Sequence, residues 1–194
     1  PEYLRLGTWD LLKRTFGGGP DPLSPQLGLQ MVNESALCVN RIRARGSLCN
    51  QGFSLANGLS FLASDENIHQ ILNSHDMRDY EQMQETLLQL RKLNGHYQDR
   101  NAVLALDPHR IPSATKRAMP KKKKRPGEPS KKMLQTFFCN DVVSGQPLGF
   151  TLASTGKTCS NATLDLIQLI ERAGVNEGLV LADKEHFTQS VSNY

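Results

Sequence analysis

Residues 102–107, AVLALD, and residues 178–183, GLVLAD, decide how this chain is read. Each is a short, unbroken apolar run that ends in an aspartate, the pattern of a strand buried in a central sheet. Between them lie MLQTFFCNDVV (133–143), a Ser144-Gly145 turn and QPLGFTLAST (146–155). Two apolar runs separated by Ser-Gly predict an antiparallel hairpin. LDLIQLIERAG (164–174) has helical spacing, with Ser160 or Asn161 as its N-cap and Gly174 as its stop. The second half therefore reads strand, basic loop, strand, strand, helix, strand, and a short helix is expected around Glu185.

This order restricts the topology. The second strand pairs with the first and the third with the second, so the first and third run the same way. A right-handed helical crossover then lays the fourth strand parallel to the first, on its free side. Asp107 and Asp183 would close neighbouring strands at the same sheet edge, with backbones about 5 Å apart. Two carboxylates that close repel each other unless a cation joins them. A hard divalent ion, Mg²⁺ or Mn²⁺, suits one or two carboxylates plus phosphate oxygens, and a pair of such ions supports in-line phosphoryl transfer. The competing reading is that each aspartate only forms a turn or caps a helix.

The net charge of +4 hides a strong asymmetry. Arg110, Lys116, Arg117, Lys121, Lys122, Lys123, Lys124, Arg125, Lys131 and Lys132, against Glu128 alone, give residues 110–132 a charge of +9 and leave the rest at −5. Such a block contacts a polyanion or stays as a solvated loop. Its position directly after Asp107 favours contact with nucleic-acid phosphates, and the lack of interleaved aromatics argues against base stacking. Arg110 either clamps phosphate or forms a surface ion pair. His109 and His186 either position phosphate or water, or serve as caps and partly buried hydrogen-bonding groups. Gly156-Lys157-Thr158 is not a nucleotide loop, because Thr151 stands where that motif needs glycine. Cys38, Cys49, Cys139 and Cys159 form no C-x-x-C pair and are expected to be reduced thiols. No apolar run is long enough for a membrane span.

The first half reads as helical. LGTWDLLKRTF (6–16) places Leu6, Trp9, Leu12 and Phe16 on one face before the glycines at 17–19. Residues 27–42 keep helical spacing, and 46–58 are rich in turn formers. Ser64 caps a short helix reaching Asn73. A longer helix over 80–93 carries Met83, Leu87, Leu90 and Leu93 as its expected core stripe.

The stretch LALDPHRIPSATKRAMPKKKKRPGEPSKKMLQTFFCNDVVSGQPLGF, followed by LVLADKEHF, resembles bacterial insertion-sequence transposases of the DDE group. ESALCVNRIRARGSLCNQGFSLANGLSFLASDENIHQIL resembles the helical region that precedes their catalytic domain. The resemblance implies an α/β chain, α+β overall, with a helical N-terminal region over 1–97. A partial ribonuclease-H-like mixed sheet over 98–194 would follow, with a basic loop at 108–133. By position, Asp107 and Asp183 would be the first two metal-binding catalytic acids. The family's third acid, a glutamate on a later helix, has no counterpart in the eleven residues after Asp183, and the chain starts at Pro1. A piece of a longer protein is therefore expected. The implied activity is metal-dependent cleavage and transfer of DNA strands by a homo-oligomer in the bacterial cytoplasm. The alternative is an inactive DNA-binding or multimerisation remnant.

Overall fold

The computed structural model describes residues 5–18, 23–37, 55–59, 64–97, 101–123, 126–152 and 154–194. The chain divides into two units, Pro1–Leu90 and Arg91–Tyr194. The first contains helices α1 (Thr8–Phe16), α2 (Ser24–Ala36), α3 (Asp65–Asn73) and most of α4 (Met77–Leu93). Its core gathers Leu12, Phe16, Leu27, Leu59 and Ile71. A Cβ on Gly28 would fall 2.8 Å from the Phe16 ring, so glycine is what lets α2 approach that ring. Ser64 caps α3 as expected, through a reciprocal box with Asn67. His75 ties two helix ends together, with Nε2 3.0 Å from Thr15 O and Nδ1 2.8 Å from Ile71 O.

Two expectations for this unit are corrected. The second helix begins at Ser24, with Pro25 in its first turn where no N–H is needed, and ends at Ala36. The positions expected to extend it, 38–42, lie outside the described residues, as does most of 46–58. On α4 the buried seam runs through Gln84, Leu88 and Arg91, while Leu93 is 78% exposed. Arg91 takes the inward position because it donates to Pro147 O at 2.7 Å and lies 5.3 Å from the Tyr97 ring centroid. Met83 of the expected stripe does pack, partly buried, against the first unit's core, and Leu87 and Leu90 are half-buried.

The second unit has strands β1 (Ala102–Pro112), β2 (Lys121–Lys122), β3 (Lys131–Asp141), β4 (Gln146–Phe150) and β5 (Glu177–Ala182). Helix α5 (Cys159–Arg172) precedes β5, and α6 (Gln189–Ser192) follows it. β3 is antiparallel to β1 and to β4, and β5 is parallel to β1. The mixed sheet β4-β3-β1-β5 thus has the strand order derived from sequence. β2 pairs with the start of β3. Ala162, Thr163, Leu166, Ile167, Leu169 and Ile170 form the buried stripe of α5. Ala102, Leu104, Leu106, Met133, Phe137, Cys139 and Leu148 are buried apolar sheet residues of this unit's core.

Several details depart from the sequence reading. β1 continues five residues past Asp107, because β3 is long enough to pair with it as far as Pro112–Met133. Its two internal prolines are tolerated for a geometric reason. Ser113 N donates toward β3, so alternation turns the nitrogens of Pro108 and Pro112 toward β5, which has already ended at Ala182. The expected loop over 108–133 is thus partly strand. α5 starts at Cys159, capped by Thr158 Oγ1 accepting Asn161 N–H at 3.2 Å, rather than at Ser160 or Asn161. The short helix begins at Gln189, since residues 184–186 form a turn. β5 is not buried on both faces: Leu179 and Leu181 are 53% and 45% exposed. Among the described residues, no helix is long and apolar enough to cross a membrane.

Candidate nucleic-acid and metal site

The register of β1 against β5 fixes the two aspartates. Ala102 faces Glu177, but Val103 faces Leu179, so Gly178 is an extra residue on β5. Pairing then continues to Leu106 opposite Ala182. One further step of the same register, past the last pair, would set Asp183 level with Asp107. Without the bulge, Ala182 would lie beside Asp107, and Asp183 would point to the other sheet face. Glycine suits the position, as a Cβ there would lie 2.6 Å from Asn101 Cβ. Both aspartates are exposed. Asp107 faces Phe138 within β1, and so does not close its strand; Asp183 directly follows β5.

Asp183 also shapes the turn after it. Its Oδ1 accepts Lys184 N–H at 2.7 Å and its carbonyl accepts His186 N–H at 2.9 Å. That turn sends His186 under α5, where it is 1% exposed and edge-on to Phe137. Thr163 Oγ1 donates to Cys159 O, which uses its one proton, so it accepts from His186 Nδ1 at 2.8 Å. The remaining nitrogen, Nε2, is buried with no hydrogen-bond partner among the described residues. Burial holds the imidazole below its ordinary value of 6.5, against the opposing pull of Asp183, Glu185 and Asp107. His186 is therefore neutral at pH 7. His109 remains exposed, its ring 6.2 Å from Phe138.

Glu185 and Arg110 meet across the site. Arg110 Nη2 lies 3.4 Å from Glu185 Oε2, and Nη1 donates to Lys123 O at 2.9 Å. Cys159 Sγ lies 3.8 Å from the same Glu185 oxygen. Pro108, His109, Arg110, Asp183 and Glu185 line an open cleft of about 270 Å³.

The other cations expected to bind nucleic acid divide into groups. Lys116, Arg117, Lys121, Lys123 and Lys131 are exposed. Lys132 is turned inward, donating to Thr115 O at 2.9 Å and Arg117 O at 2.8 Å, and pins the loop. Lys124 and Arg125 lie outside the described residues. The β2–β3 register sets Lys121 opposite Lys132 and Lys122 opposite Lys131. Directly opposed like charges are unfavourable in a bare sheet.

The sequence reading missed Thr158 and Thr163. A Thr-x-x-Asn pattern at 158–161 signals the cap, whereas the Thr163–His186 contact has no local signal. Among the described residues, no three His, Cys, Asp or Glu side chains are grouped to hold a metal ion. Asp107 and Asp183 alone supply oxygen donors of the kind a hard cation takes when substrate and water complete its shell. No protein-family model, curated protein or solved structure matches the chain.

Proposed function

We propose that this chain acts on the phosphodiester backbone of DNA, as a DDE-type transposase or a segment of one, with a ribonuclease-H-like sheet. The observation that carries this reading is the one-residue bulge at Gly178, after which the register runs to Leu106 opposite Ala182 and would bring Asp183 level with Asp107. Ligands of open α/β sheets gather at the carboxyl ends of parallel strands, and Asp183 directly follows the carboxyl end of β5. The exposed Lys116, Arg117, Lys121, Lys123 and Lys131 of the basic segment add a second support, as charges that phosphates would neutralise. Asp107 and Asp183 would hold Mg²⁺ or Mn²⁺, which when bound activates a nucleophile and stabilises the leaving oxygen in strand cleavage. The exposed lysines would anchor the backbone without reading sequence. Strand transfer would engage more than one copy of the chain.

The test is nicking of supercoiled DNA with Mg²⁺ or Mn²⁺. Asp107→Asn and Asp183→Asn should each abolish nicking while leaving DNA binding and folding intact. Nicking by either variant at the wild-type rate would overturn the assignment of the pair. A second reading is a non-cleaving DNA-binding or multimerising remnant of such a protein. That reading predicts salt-sensitive binding with no divalent-dependent nicking, unchanged by Asp107→Asn.

A further inference from the structure

Arg110 is only partly satisfied where it stands. A guanidinium presents two bidentate edges, and the edge formed by Nε and Nη2 matches the spacing of two phosphate or carboxylate oxygens. Here Nη2 meets a single Glu185 oxygen at 3.4 Å, a long contact for a charge-assisted bond. Nε of the same edge is buried with no hydrogen-bond partner among the described residues. A buried N–H without an acceptor is costly, and the full edge is worth more than the one contact it makes. Nη1 is separately fixed by Lys123 O, which orients the guanidinium from the basic segment. The residue lines the cleft together with Asp183 and Glu185.

We propose that Glu185 is a placeholder on Arg110, displaced when a DNA backbone phosphate takes the Nε–Nη2 edge bidentately. The proposal deepens the DNA-backbone reading and rests on it. Arg110 then becomes a direct phosphate ligand in the cleft that Asp183 also lines, and Glu185 a built-in competitor that weakens binding of anything less well matched than phosphate. No covalent step is involved. The placeholder exchanges one anion for another on a guanidinium that Lys123 already holds in place.

The experiment is a double-mutant cycle on the full 194-residue chain, measuring affinity for a short DNA duplex at fixed salt. Glu185→Gln should tighten binding about twofold to fivefold, the scale of an exposed ion pair. That gain should vanish in an Arg110→Lys background, which keeps the charge but lacks the forked edge. A general charge effect would persist there and would overturn the proposal, as would an unchanged or weaker Glu185→Gln variant. In parallel, the Arg110 Nε–Hε NMR resonance should move on adding duplex. A shift with inorganic phosphate but none with DNA would mark a free-anion pocket and overturn the proposal. If the wild-type chain fails to bind duplex at all, the DNA reading itself falls. If it binds but shows no coupling between positions 110 and 185, only the placeholder falls.

Discussion

The two ends of the β1–β3 ladder treat their polar groups in opposite ways. At the β3–β4 turn, Asp141 is fully buried, and its carboxylate accepts both the backbone N–H and the hydroxyl of Ser144. Gly145 takes the left-handed conformation the turn requires, with φ of 68°. Arg91 donates to the Pro147 carbonyl and to the Gln146 side chain. Toward the Pro112–Met133 end, Arg110 Nε is buried without a hydrogen-bond partner among the described residues and Lys121, Lys123 and Lys131 are exposed, while Asp107, between the two ends opposite Phe138, is exposed as well. The turn end satisfies its buried carboxylate internally, whereas the other end leaves a buried guanidinium N–H without a partner among the described residues.

This contrast can be broken by experiment. Its largest expression lies in the two described thiols. Burial, with Asp141 adding to it, pushes Cys139 up to about 12, so it should alkylate on the order of a thousandfold more slowly than an ordinary thiol. Cys159, half-buried beside Glu185, should react first of the two in peptide-mapped labelling. Equal rates would dissolve the distinction. Next, Asp141→Ala should cost about 1–3 kcal/mol in denaturant unfolding, through unpaired turn donors. Asp107→Asn should stay within about 0.5 kcal/mol of wild type, as surface substitutions usually do. Comparable losses for both would remove the difference between the buried and the exposed aspartate. Gly178→Ala should cost about 1–3 kcal/mol by forcing β5 from Asn101. It should also weaken Asp183-dependent nicking more than that stability loss explains, because it disturbs the register.

The smallest effect is the pH dependence of His186. Its folded value lies below the unfolded one, so the unfolded chain takes up the proton more readily. The stability it contributes is complete above pH 6.5 and is lost as pH falls from there through the folded value. Comparing thermal midpoints of wild type and His186→Gln should show the wild type losing more on acidification. The opposite ordering would contradict a buried neutral ring.

Much of the architecture is legible in local patterning. The apolar runs at 102–106, 133–143, 146–155 and 178–182 mark four strands, and their order with one intervening helix is enough to place β5 beside β1. The composition of residues 110–132 marks the basic segment. These features depend on periodicity and handedness, which neighbouring residues encode. What the sequence concealed depends on partners far along the chain. β1 outruns Asp107 because β3 supplies a matching edge, and Leu179 and Leu181 stay exposed because burial is decided by what covers a face, not by hydrophobicity. Arg110 meets Glu185 across 75 residues, and Thr163 meets His186 across 23. The sequence by itself determined that the strands carrying Asp107 and leading into Asp183 lie side by side and parallel in a mixed sheet. Only the tertiary structure decided the register between them, through a single extra residue at Gly178, because strand register has a period of two and one inserted residue reverses every side chain beyond it.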